Sequence, residues 1–104
     1  MNKFTIDVIE TIKNIPKGKV MTYGQIATFC GNPYGARQVS RILYSSSKKY
    51  HLPWHRVINS KGMISLHGEG KLMQLERLFE EGIKILNNKI DLNKYLHKPW
   101  DKEI

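Results

Sequence analysis

Apolar residues recur at helical spacing in four separate stretches of the chain. In "KFTIDVIETIKNI", Phe4, Val8, Ile9, Ile12 and Ile15 fall on one face, and Pro16 and Gly18 stop the helix. In "VMTYGQIATFCG", Thr22 followed three residues later by Gln25 is a capping box, which predicts a helix start. Ile26, Ala27 and Phe29 follow as its apolar side, and Gly31, Asn32 and Pro33 end it. In "GARQVSRILYSSS", Ala36, Val39, Ile42 and Leu43 form an inner stripe, which leaves Arg37, Gln38, Ser40, Arg41 and Tyr44 outside. Two short helices across a tight turn predict a helix-turn-helix, with the second as recognition helix.

Beyond that unit, "RVI" and "MIS" flank the turn residues Asn59, Ser60, Lys61 and Gly62, a pattern that predicts a small β-hairpin, the wing of a winged helix. "LHGEG" reads as a loop. "KLMQLERLFEEGIKIL" is amphipathic, with Leu72, Leu75, Leu78 and Phe79 expected inward and Gly82 as C-cap. The tail, 86–104, carries one apolar patch of Ile90, Leu92, Tyr95 and Leu96, and is expected to be irregular and packed on the body. The expected class is therefore mainly α, a winged-helix-like domain with a small hairpin wing, one domain over 1–104.

Composition narrows the function. No apolar run is long enough to span a bilayer, and the N-terminus lacks a signal-peptide layout. A single cysteine, Cys30, forms no internal disulfide and no cysteine-cluster metal site, so a reducing cytoplasmic setting is expected. The four histidines show no ligand spacing, and no metal or other cofactor is expected. Charge is more informative. Between positions 11 and 68 stand nine lysines and arginines and no acid, whereas the rest of the chain holds eight bases against nine acids. So clean a basic block suits a polyanion, and the predicted helix-turn-helix lies inside it.

One stretch remains, "LPWHRVI", with Trp54 directly before His55 and Arg56. Together with "GKVMTYGQIATFCGNPYGARQV" upstream and "LERLFEEGI" downstream, it resembles the DNA-binding C-terminal domain of O6-alkylguanine-DNA alkyltransferases over roughly residues 4 to 85. That family has Pro-Cys-His-Arg-Val where this chain has Pro53-Trp54-His55-Arg56-Val57, and its cysteine takes the alkyl group. Tryptophan at that place marks the alkyltransferase-like, non-enzymatic branch. The chemistry agrees, because alkyl transfer needs an activated thiolate and indole offers no usable nucleophile. Cys30 stands 24 residues before Trp54 at the end of a predicted helix and reads as core packing.

The resemblance implies roles residue by residue. Tyr23 presses on the phosphate beside the target and helps to rotate the nucleotide. Arg37 enters the duplex and fills the gap that the flipped base leaves. Asn32, Gly35, Ala36, Gln38, Ser40, Arg41 and Ser60 line the DNA contact, with Gly35 and Ala36 small enough to let the helix approach the minor groove. Trp54, Leu43, Val57, Ile64, His67 and Gly68 bound the lesion pocket. His55 and Glu81 are a relay without its nucleophile, joined in the family pattern through a water, and Arg56 is structural. Two positions depart from the pattern. Ser46 stands where an asparagine hinge is usual, and His67 where the alkyltransferase-like branch carries a lid arginine.

The implied function is a monomeric damage sensor. It would bind O6-alkylguanine in double-stranded DNA, flip it without repairing it, and flag it for nucleotide excision repair, through UvrA in bacteria. Two other classes stay open on the residues alone. One is an enzyme, either a weak transferase or a glycosylase using Glu81 or His55. The other is a winged-helix regulator without lesion specificity, in which "PWHRV" has no role.

Overall fold

The computed structural model describes residues 1–101; the last three positions of the expected tail, 102–104, lie outside the described residues. Helix α1 (Lys3–Lys13) starts where the Asn2 side chain accepts from the Thr5 amide, and it buries Val8, Ile9 and Ile12. The chain then turns at Gly18, whose φ of 84° is in the left-handed region, into the two-residue strand β1 (Met21–Thr22). Helix α2 (Tyr23–Phe29) opens with both halves of the Thr22–Gln25 capping box in place. Helix α3 (Ala36–Tyr50) is longer than the pattern suggested and ends at His51 in a left-handed conformation. Ser46 therefore lies inside this helix rather than in a hinge after it. The Ser45 and Ser47 hydroxyls donate to the carbonyls of Ile42 and Leu43, so these polar side chains find partners within α3.

A 3-10 turn, Trp54–Arg56, leads into β2 (Val57–Ile58). The wing differs from expectation. β2 does not pair with the Met63 strand but lies parallel to β1, Met21 opposite Val57 and Thr22 opposite Ile58. The turn between them does form, since Gly62 donates to Asn59 O at 3.0 Å and Asn59 Oδ1 accepts from Lys61 and Met63. It hands Met63 on to a bridge with Lys89 instead of back to Val57. The physical reason is burial: Val57 and Ile58 are both core residues and need a partner on the inside of the molecule.

The antiparallel hairpin sits in the tail, which is ordered where irregular structure was expected. β3 (Ile85–Leu86) and β4 (Lys89–Ile90) pair across Asn87 and Asn88, both with positive φ, as a two-residue hairpin of the right twist requires. A short helix α5 (Leu92–Tyr95) follows, and Val20 donates to Tyr95 O and accepts from the His97 amide, which pins the tail to the residue before β1.

Helix α4 (Gly68–Glu80) corrects a second expectation. Leu72 and Phe79 point outward, 67% and 79% exposed, while Gln74 and Leu78 are buried. Its end is as expected: Gly82 donates to Phe79 O and Ile83 to Leu78 O, a Schellman motif closed by the buried pair Leu78 and Ile83. The core falls into two clusters. One packs α1, α2 and α3 around Ile12, Ile26 and Val39; the other packs α4, the hairpin and α5 around Ile58, Leu78 and Ile90. The β1–β2 pair joins them, and the Trp54 turn lies at that junction.

Candidate nucleic-acid interface and lesion site

The "PWHRV" turn is held from three sides. Trp54 donates its amide to Leu52 O and Arg56 to Pro53 O, which closes the turn. Gln74 reaches in from α4 and donates to both His55 O and Val57 O at 3.1 Å. These carbonyls lie in the 3-10 turn and at the start of β2, and a buried amide from α4 satisfies both. Glu81 holds the third side. Its carboxylate, 8% exposed, accepts from Arg56 Nη2 at 2.7 Å, Arg56 Nε at 3.0 Å and the Gly18 amide at 3.0 Å, and lies 2.6 Å from His55 Nε2. Arg56 also donates to Ile15 O at 2.9 Å, so one guanidinium ties the turn to the end of the first helix.

Burial by itself raises the carboxyl pKa of Glu81. The Arg56, Gly18 and His55 hydrogen bonds outweigh burial and bring it down from 4.5 to about 2. The carboxylate is thus charged at any ordinary pH. His55 meets it directly, without the bridging water that the family pattern implied between them. Of the two ring nitrogens of His55, Nε2 is spent on Glu81 and the buried Nδ1 has no partner among the described residues.

Trp54 is half-buried against the first core cluster, next to Leu43 and Val57 of the same cluster. The guanidinium carbon of Arg77, from α4, stands 5.2 Å over the centre of the Trp54 ring. The remaining residues expected to bound a pocket are divided. Ile64 belongs to the second cluster, while His67 and Gly68 are exposed at the start of α4, His67 as an N-cap whose side chain makes no capping bond. Trp54 and His67 do not line the open clefts of about 820, 770 and 560 Å3, and Trp54 keeps part of its surface exposed.

The expected DNA-contact residues come from α2, the turn after it, α3 and the turn after β2. Tyr23, first residue of α2, is half-buried against the first cluster. Burial raises its phenol pKa and a hydrogen bond with Ser65 partly offsets this, which places the ring beside the loop before α4. Arg37, Ser40 and Arg41 are exposed on α3, and Arg37 has no hydrogen bond or ion pair among the described residues. Gln38 is tied to Asn32, whose Nδ2 donates to it at 3.3 Å, and Asn32 in turn accepts from the Tyr34 amide. Gly35 is buried, and a Cβ there would lie 2.9 Å from Asn32 Nδ2 and 3.1 Å from Phe4 Cζ. Its smallness serves the packing of α3 against its own turn and α1. Ser60 is exposed in the turn after β2. Of the nine bases in the acid-free window, Arg56 alone pairs with a carboxylate among the described residues. The other eight leave a positive field with no internal counter-charge.

Sequence reasoning missed Gln74, Arg77 and Gly18 as parts of this site. A polar residue in the middle of an apolar helix stripe was the available signal for Gln74. Gly18 and Arg77 gave none, because their partners are 63 and 23 residues away.

A helix-turn-helix set against a proline–tryptophan–histidine–arginine–valine turn, with the histidine clamped by a distant glutamate, defines an alkyltransferase-type DNA-binding domain. Residues 3–83 match the family described as "6-O-methylguanine DNA methyltransferase, DNA binding domain", and the chain belongs to that family. It is 42% identical to alkyltransferase-like protein 1 of Schizosaccharomyces pombe over 106 residues, covering 95% of this chain and 98% of that one. It is 44% identical to the DNA base-flipping protein of Vibrio parahaemolyticus over 100 residues, covering 95% and 100%. Among solved structures it superposes on S. pombe Atl1 in complex with damaged DNA containing O6-carboxymethylguanine, with a TM-score of 0.83, over 95% of this chain and 98% of that one. It also matches Mycobacterium tuberculosis O6-methylguanine methyltransferase at 29% identity and a TM-score of 0.62, over 78% of this chain and 49% of that one. The chain is thus an alkyltransferase-like protein by sequence and fold. Among the described residues, no helix is long and apolar enough to cross a membrane, and no group of three His, Cys, Asp or Glu side chains is placed to hold a metal.

Proposed function

We propose that this protein is a non-enzymatic sensor of O6-alkylguanine in double-stranded DNA. The observation that carries the reading is Trp54. An indole stands where the family places its nucleophile, in a turn whose His55–Glu81–Arg56 network is otherwise complete. A chain that had merely lost its chemistry has no need to keep that turn in register. A large, rigid aromatic is suited to contact an extruded base, which a nucleobase inside the duplex never reaches. The unpaired cations of α3 and the free Arg37 supply the electrostatic approach and the group that fills the gap. The relatives named for base flipping and for damaged DNA support the same reading.

In this reading Tyr23 rotates the target nucleotide, Arg37 takes its place, and Trp54 and His67 meet the adduct. Asn32, Gln38, Ser40, Arg41 and Ser60 hold the backbone, and the helix enters the minor groove, whose poor sequence information suits a reader of lesions in any context. One copy reads one lesion, leaves the alkyl group in place, and marks the site for nucleotide excision repair, with UvrA as the bacterial partner, in the cytoplasm or on the nucleoid.

The test is a titration of tryptophan emission with two matched duplexes, one holding a single O6-methylguanine and one guanine. A Trp54→Phe variant separates Trp54 from Trp100. Much tighter binding to the lesion, with an emission change that disappears in Trp54→Phe, is expected. Equal binding to both duplexes would leave a DNA-binding domain without lesion specificity.

A further inference from the structure

Helix α4 carries more apolar surface than its own core uses. Gln74 and Leu78 are buried, yet Leu72, Met73 and Phe79 are 67%, 46% and 79% accessible. Leu72, Leu75 and Phe79 follow one another at spacings of three and four, the period at which one helix offers a seam to another. Leu75 is half-buried against the second core cluster, at the inner border of this seam. Leu72 and Phe79, on either side of it, are open to solvent.

Acids flank the seam. Glu69, Glu76 and Glu80 are exposed within the same roughly 120° of the helix circumference that holds Leu72, Met73 and Phe79. None of the three glutamates forms an ion pair among the described residues. They stand on a chain of formal net charge +8, so this edge is an acidic patch on a basic molecule. Arg77, which stacks on Trp54, lies roughly 150° round the helix from Leu72 and Phe79. The edge therefore faces away from the turn proposed to read the lesion. Its charge repels a phosphate backbone or an anionic membrane, and two copies of so basic a chain repel each other. An exposed apolar strip with one sign of charge along it marks a protein interaction surface, and here the complement is apolar and basic.

We infer that the α4 edge is a docking surface for a basic amphipathic helix of another protein. The apolar side chains of that helix cover Leu72 and Phe79, and its lysines or arginines meet Glu69, Glu76 and Glu80. The two helices lie side by side, with the apolar seam supplying contact and the flanking charges fixing orientation. The surface is small, so the complex is weak and transient. It uses none of the residues assigned to reading the lesion, so it stands whether or not that reading does, and a duplex and this partner can be held together.

Two fluorescein-labelled synthetic peptides test this. One is a leucine–lysine helix with its leucines at three–four spacing; the other has the same charge and serine at every leucine. Most of this molecule repels either peptide, so binding reports on the acidic edge. In fluorescence anisotropy with the full chain, the leucine peptide is expected to bind at least about tenfold more tightly than the serine peptide. The double variant L72S/F79S should lose that advantage, and E76K/E80K should weaken the leucine peptide by about tenfold or more. L72S/F79S should still hold O6-methylguanine and guanine duplexes as the wild type does, which shows that it is folded and that the edge is separate from the DNA face. Equal binding of the two peptides to the wild type would overturn the proposal, and so would leucine-peptide binding that survives L72S/F79S. Weakened duplex binding in L72S/F79S, with an unchanged circular dichroism spectrum, would overturn it as well and assign the edge to DNA.

Discussion

The guanidinium of Arg77 lies 5.2 Å over the ring of Trp54, the one cation placed against the indole among the described residues. The pair bridges α4 and the 3-10 turn, so it helps fix the indole against the rest of the domain. A stacked guanidinium over tryptophan contributes about 0.5–1 kcal/mol at an exposed site. Arg77→Ala should therefore lower stability by about that much in urea melts. It should also raise quenching of the Trp54 emission by acrylamide in a Trp100→Phe background, because one ring face loses its cover. Unchanged quenching would mean that the stack is not populated in solution.

Glu81 links pH to stability. Its folded pKa, about 2, lies below the ordinary 4.5, so its contribution is fully present above pH 4.5 and is lost as pH falls through the folded value. The gap corresponds to about 3 kcal/mol of stability that disappears between those two values. Glu81→Gln should flatten acid unfolding in this window. At neutral pH it should cost about 3–5 kcal/mol, because it leaves the Arg56 charge buried without its partner. Guanidinium melts of the two proteins at neutral pH and at pH 3 measure both effects. Parallel loss of stability in wild type and variant would remove Glu81 from the account.

The local grammar of the chain was legible and its long-range ties were not. The Thr22–Gln25 box, the apolar face of the first helix and the Gly82 cap each depend on residues a few positions apart, and each is in place. Leu75 and Leu78 of α4 do face the core, but Leu72 and Phe79 were misassigned because they continue the same helical period at the edge of that face. What turns the helix is Gln74, whose amide is drawn inward by two carbonyls of the 3-10 turn. The hairpin wing was misplaced for a related reason. A turn at Asn59 was correctly read, but a turn does not say which strand its flanks will join. Asn87 and Asn88, which do form a two-residue hairpin loop, carry a signal that was passed over. At the site, the "PWHRV" order is plain in the sequence. The convergence of Ile15, Gly18 and Glu81 on it spans up to 63 residues and needs the fold.

Arg37 is exposed and has no hydrogen bond or ion pair among the described residues, so its removal should leave folding untouched. Arg37→Ala is expected to weaken binding to an O6-methylguanine duplex by about tenfold or more, the scale of one good contact to a base at about 1–3 kcal/mol. Binding to the guanine duplex should fall less, since only one phosphate-range charge is lost there. Fluorescence anisotropy with both duplexes separates the cases, and equal losses on the two would defeat the assignment of Arg37 to the gap.

Eight cations in the acid-free window, without an ion pair among the described residues, predict a strong salt dependence. With roughly four to six phosphates neutralised, the slope of log K against log salt should be about −4 to −5. Arg41→Ala should make it shallower by about one. A flat response would contradict a phosphate-tracking face.

Trp54→Cys restores the family's motif residues and asks whether the retained network is enough for chemistry. His55 still has a free, buried Nδ1, and Glu81 still holds Nε2. Those groups can orient a base, but they do not place a sulfur. The turn, Gln74 and Arg77 are arranged around an indole, and replacing it with a thiol leaves a void where in-line approach demands a fixed distance. The expected result is slow or absent transfer, read as the missing gain of one methyl group by intact mass after incubation with an O6-methylguanine duplex. Rapid stoichiometric methylation would mean that the His55–Glu81 pair is a working relay and that the indole alone keeps this protein from being an enzyme.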